Sequence, residues 1–269
     1  MNVSARGIWL WSDVHLEFPE QLDSYAALPA PPDGDPVILA GDIAVGTAGV
    51  RWAIATFPNN PVAYVLGNHE AYGADLDITY DACRAAAAGT NVRILEREVW
   101  EIAPGLRLLG TTLWTDYALW GEGYMGDPHR AALRLADHRL ITTEGKTFAP
   151  MDAWHRHEDS RHWLEAELTR AHRDGADTIV VTHHAPHVVC LSPTHIHQGE
   201  PISAAFASDL SELRMGPLAP RIWCSGHTHH NHRGQLGRSK LLSNQAGYVR
   251  LGEGTGFLRA GQLVMRLEG

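Results

Sequence analysis

The chain has 269 residues, 44% of them hydrophobic and 20% charged, with a formal net charge of −9 when histidine is neutral. That is enough for one large α/β unit with a substantial core, and it rules out a chain dominated by disorder. The acidic balance and the lack of Lys/Arg clusters argue against a protein built to hold a nucleic-acid polymer, although bound cations would still let it attract phosphate.

Residues 7–12 are expected to form a buried strand, with Asp13 and His15 just beyond it in extended chain, two apart and so facing the same way. Residues 19–36, rich in Pro and Asp, are expected to be a loop. A second strand at 37–40 leads into Gly41-Asp42, a short helix follows at 48–57, and a third strand at 61–66 runs into Gly67-Asn68-His69-Glu70. The Ala-rich stretch 75–88 predicts a helix ended by Gly89, and 91–95, 97–103 and 106–112 predict strands, the last two joined by Pro104-Gly105. The order βαβαβ followed by antiparallel strands indicates an α/β fold with a mixed sheet.

Residues 113–150 carry aromatics, acids and glycines directly after a strand and are expected to decorate the site, with a helix at about 128–138. A helix over 151–174 would bury Trp154, Leu164 and Leu168 and turn His155, His157, His162 and His172 outward. Strand 178–182 leads into His183-His184-Ala185-Pro186-His187. A long loop at 188–204 and a short helix at 205–214 follow, strand 221–225 ends in Gly226-His227-Thr228-His229, and closing strands are expected at 240–243 and 256–267.

Five short strands thus deliver polar side chains at their carboxyl ends: Asp13, His15, Asp42, Asn68, His183, His227 and His229. This mixture of carboxylate, amide and imidazole suits transition metals such as Mn, Fe, Zn or Ni and not calcium, which takes oxygen ligands. Seven donors are too many for one tetrahedral ion and suit a pair that shares a bridging carboxylate, for which Asp42 is the candidate. Two divalent ions would bind a phosphoryl oxygen, and a bridging hydroxide would attack phosphorus. His69, beside a ligand, is placed to protonate the leaving oxygen. Glu70 is expected to support the turn, and Thr228 to be structural. His184 and His187 are open among ligand support, substrate contact and plain loop. The histidines of 151–174 are expected on a solvated face.

These residues resemble the calcineurin-like metallophosphoesterase superfamily, through Asp13-Val14-His15, Gly41-Asp42, Gly67-Asn68-His69-Glu70, His183 and Gly226-His227-Thr228-His229. The stretches 111–116, 207–210 and 244–248 resemble a bacterial branch of phosphohydrolases. The resemblance implies one domain over 1–269 with the fold of a double β-sheet sandwich of mixed sheets flanked by helices. It implies that Asp13, His15, Asp42 and His229 bind one metal, and Asp42, Asn68, His183 and His227 the other. His69, Asn68 and Asp42 are the implied catalytic residues and a small phosphomonoester or phosphodiester the implied substrate. The second motif continues Ile43-Ala44-Val45 where protein phosphatases carry Asp-Arg-Gly, which argues against a phosphoprotein substrate. A catalytically silent metal-binding regulator is the alternative from another class, and a nuclease a more remote one.

Three cysteines (Cys83, Cys190, Cys224) without Cys-x-x-Cys spacing argue against a disulfide framework. No apolar run nears the roughly 18 residues of a membrane span, and the N-terminus lacks the shape of a signal peptide. The expected location is therefore the cytoplasm.

Overall fold

The computed structural model describes residues 7–121, 134–193, 196 and 201–267. In chain order the elements are β1 (Gly7–Trp11), α1 (Pro19–Tyr25), β2 (Val37–Ala40), α2 (Ala48–Thr56), β3 (Val62–Val65), α3 (Leu76–Ala87), β4 (Val92–Ile94), β5 (Glu98–Ala103) and β6 (Leu106–Thr111). They continue with α4 (Asp137–Leu140), β7 (Thr142–Thr143), β8 (Lys146–Thr147), α5 (Pro150–Asp174), β9 (Asp177–Thr182), α6 (Ser211–Met215), β10 (Ile222–Cys224), β11 (Arg233–Leu236), β12 (Ser239–Leu242) and β13 (Gln262–Arg266).

Two mixed sheets pack face to face. One has the order β13-β1-β2-β3-β4, the other β11-β12-β10-β9-β6-β5. In the first, β1 to β4 run parallel and β13 closes the edge antiparallel. In the second, β12, β10, β9 and β6 run parallel between antiparallel edges β11 and β5.

The side-chain period of two explains the layers. Ile8, Leu10, Ile38, Ala40, Ala63 and Val65 of the first sheet meet Leu106, Leu108, Ile179, Val181, Ile222 and Cys224 of the second. The alternate residues Trp11, Leu39 and Tyr64 pack outward with Val50, Ala53, Tyr80 and Cys83 of α2 and α3. On the far side, Leu109, Val180, Trp223 and Leu241 pack with Leu164 and Leu168 of α5. Strands covered on both faces read as continuous apolar runs, and these do.

Several local expectations need correction. Residues 19–25 form a helix where a loop was expected, because Pro19 stands at the first helical position with its φ preset and Glu20 follows in the first turn. On α5, His157 is buried, not outward, while His155, His162 and His172 are exposed and Trp154 is half-buried. The expected strand 256–267 narrows to β13, β11 was not foreseen, and the helix expected over 205–214 is α6, with a 3₁₀ turn over Pro201–Ala205 before it. Of the helix expected at 128–138, residues 128–133 lie outside the described residues.

Candidate metal centre

The ends of five parallel strands converge, and backbone hydrogen bonds tie their loops together. Asp13 N donates to Gly41 O at 3.0 Å and Gly226 N to His183 O at 3.0 Å. The segment after β1 is not extended, as had been expected: Asp13 and His15 have φ of 54° and 53°. Asp42, His227 and His229 are also left-handed, at 53°, 69° and 49°. Such φ values are uncommon for residues with a side chain and gather at functional sites. Gly67 is required on steric grounds, since a Cβ there would fall on the Asp42 carboxylate and within 2.8 Å of the His183 ring. A Cβ at Gly226 would stand 2.6 Å from Asp13 Oδ2.

All seven predicted donors come together in two groups. Asp13, His15 and His229 form one: His15 Nε2 and His229 Nε2 are 2.9 Å apart, and His229 Nε2 is 3.5 Å from Asp13 Oδ1. Asp42, His183 and His227 form the other, with His227 Nδ1 at 3.1 Å and Asn68 Oδ1 at 2.9 Å from His183 Nε2. Asp42 lies between them, Oδ1 3.4 Å from His183 Nε2 and Oδ2 3.8 Å from His15 Nε2.

The outward-facing atoms of these residues are held by a second set of groups that sequence reasoning missed. Glu17 Oε1 stands 3.2 Å from His15 Nδ1 and 2.8 Å from His69 Nδ1. Glu253 Oε2 stands 2.6 Å from His229 Nδ1, and the Ala40 carbonyl 2.9 Å from His183 Nδ1. Asn68 Nδ2 donates to Asp137 Oδ1 at 2.8 Å and to Tyr72 Oη at 3.0 Å, which turns its oxygen toward His183. Gln245 Oε1 accepts from His229 N at 2.6 Å and Gln245 Nε2 donates to Thr228 Oγ1 at 3.0 Å, so Thr228 joins the frame. The alternation Asp13, His15, Glu17 was a usable signal; Asp137 and Glu253 carry none in their local sequence.

These outer partners test whether the donors fit a cation. With Nδ1–H donated outward, His15 and His229 aim Nε2 lone pairs at each other. Lone pairs facing lone pairs in a buried site are stable around a positive charge, and the N/O donor set is that of a transition metal. Electrostatics agree. Burial opposes charge on His183, yet the Asp42 carboxylate outweighs it and pushes the imidazole up to about 10. Burial likewise opposes charge on His69, and Asp42 and Glu17 together push it up to about 9. Asp42 itself, despite burial, is held well below the usual carboxylate range by His183 and His69.

Glu70 is fully buried and accepts from Gly67 N (2.6 Å), Ile43 N (2.8 Å), Asp42 N (3.1 Å) and Tyr64 Oη (2.6 Å). It clamps the loops that carry Asp42 and Asn68, the supporting role expected of it. His184 is buried behind the centre, its ring 4.1 Å from that of His227 and its Nδ1 3.3 Å from the Thr112 carbonyl. His187 accepts from Val189 N at 3.2 Å. Neither joins the donor groups found among the described residues.

Residues 7–231 match the family model for calcineurin-like phosphoesterases. The chain belongs to the calcineurin-like phosphoesterase family. This makes it a phosphate-ester hydrolase that works with metal, as the resemblance implied. No curated protein matches it. Among solved structures, this phosphoesterase is similar to phosphopantetheinyl hydrolase (PptH) from Mycobacterium tuberculosis, at 20% identity over 92% of each chain with a TM-score of 0.69. A dimetal phosphatase from Danio rerio is similar at 15% identity, over 90% of this chain and 87% of that one, with a TM-score of 0.50. At these identities the likeness shows the fold, the double-sheet sandwich expected from the motifs. No helix among the described residues is long and apolar enough to cross a membrane.

Proposed function

We propose that this calcineurin-like phosphoesterase hydrolyses small phosphomonoesters or phosphodiesters at a centre for two transition-metal ions. Asp13, His15, Asp42 and His229 would hold one ion, and Asp42, Asn68, His183 and His227 the other. The observation that supports this best is the position of Asp42, whose two oxygens face different donor groups. The whole chain would act as one catalytic unit, with 113–150 as a decoration that reaches the centre through Asp137.

When bound, the ions supply Lewis acidity toward a phosphoryl oxygen and lower the pKa of water to the neutral range. The chain supplies the rest. His69 Nδ1 is held by Glu17, which leaves Nε2 on the side of Asp42, 3.8 Å from Oδ2. Held protonated by Asp42 and Glu17, it hands that proton to the leaving oxygen. The Tyr72 ring packs 4.1 Å from the His69 ring and fixes its plane.

The test is metal content and turnover of bis-p-nitrophenyl phosphate and p-nitrophenyl phosphate after loading with Mn. Two ions per chain and turnover are expected. His69→Ala should lower kcat by about 10²–10⁴ while both ions stay bound. A single ion per chain overturns the two-ion centre, and two ions without turnover of any phosphate ester favours the regulatory reading.

A further inference from the structure

Beside the metal donors stands a small wall of three side chains that the reaction above does not use: Phe18, Tyr248 and Arg250. The Tyr248 ring lies 4.7 Å from that of His15 and 4.6 Å from that of His229, and its hydroxyl is 3.2 Å from His69 Nε2. Phe18 meets Tyr248 edge to face at 5.5 Å. The Arg250 guanidinium sits over both rings, 5.4 Å from the centroid of Phe18 and 5.9 Å from that of Tyr248.

Arg250 is exposed and stacks on those two aromatic faces, and among the described residues no carboxylate is paired with it. The acids nearby are already engaged, Glu17 with His15 and His69 and Glu253 with His229. The turn that presents Arg250 is also built in. Buried Gln21 accepts from Val249 N at 2.7 Å and donates to the Gly247 carbonyl at 2.7 Å and the Val14 carbonyl at 3.0 Å. A cation stacked on aromatic faces keeps its planar fork of donors free for an oxyanion. The ring under this fork also carries the hydroxyl that meets His69 Nε2, so Tyr248 joins Arg250 to the residue assigned to the leaving group.

We propose that Arg250, backed by Phe18 and Tyr248, binds a second anionic group, a carboxylate or phosphate, carried by the alcohol portion of the substrate. The preferred substrate class is then a phosphate ester whose leaving group is itself charged. This rests on the phosphoesterase reading of the same centre and deepens it.

The experiment compares phenyl phosphate with its 3-carboxy and 4-carboxy derivatives on the Mn-loaded protein. Both kcat/KM and equilibrium binding by calorimetry are measured. The native protein should prefer a carboxylated ester by about five- to tenfold in KM, and Arg250→Ala should bring that ratio near unity, with Arg250→Lys intermediate. Raising salt should shrink the preference of the native protein. Equal losses on all three esters would put Arg250 on the transferred phosphate and overturn the subsite, as would an unchanged ratio. If no ester is turned over, calorimetry still decides the subsite, so the two failures are told apart.

Discussion

The two donor groups are alike at the centre and differ one layer out. Around Asp13, His15 and His229 the outer nitrogens meet carboxylates, Glu17 and Glu253. Around Asp42, His183 and Asn68 the outer atoms meet the Ala40 carbonyl and the buried Asp137, which is shared with Tyr72. A carboxylate behind an imidazole raises its basicity, whereas a backbone carbonyl mainly fixes its tautomer. One half of the centre is therefore tuned by charge close to the surface, and the other by burial. In the two-ion centre proposed above, the ions would therefore be held with different strength.

The harshest way to break this contrast is to remove what the halves share. Asp42→Asn should abolish retention of both ions and lower kcat/KM by about a thousandfold, read by metal analysis and p-nitrophenyl ester turnover. If one ion stayed at full affinity, Asp42 would not bridge. Sharper and smaller is the pair Glu253→Gln and Asp137→Asn. Each should weaken one ion by about 10- to 100-fold and spare the other, measured by competition with a graded series of chelators. Loss of the same ion in both variants would dissolve the distinction drawn above.

The smallest effect lies outside both halves. His157 is fully buried and held neutral by burial, below its usual range, and burial pushes His232 down to about 4. In the unfolded chain both return to about 6.5. Their neutral forms thus support the fold above pH 6.5, and that support is lost as pH falls, for His232 toward about 4. At pH 5.5 the His157 contribution should be smaller than at pH 7.5, read as a lower melting temperature of the metal-free protein. His157→Gln should reduce that slope, and a slope unchanged in the variant would remove His157 from the acid sensitivity and leave it to His232 and the centre.

How far the sequence could be read follows from where each interaction lives. Strands buried on both faces announce themselves as apolar runs, and a donor next to the last apolar residue needs no further information. That is why Asp13, Asp42, Asn68, His183 and His227 were legible together with the sandwich. Their supports were not, because Asp137 reaches Asn68 across 69 residues and Glu253 reaches His229 across 24, through contacts that no local period encodes. His157 was misplaced because helical spacing gives a face and not its neighbour. The loop after β6 covers that face, bringing the Trp114 carbonyl to 3.4 Å and Asp116 Oδ2 to 3.9 Å from the ring nitrogens.

The left-handed backbone at Asp13, His15, Asp42, His227 and His229 has a consequence for how this surface can change over time. On backbone grounds alone, each of these five positions favours glycine or asparagine, at a saving of order 1 kcal/mol. Drift toward a sturdier chain would therefore erode these side chains first. Only the work they perform opposes that drift, so a lineage released from that work should show glycine and asparagine here before its core begins to change.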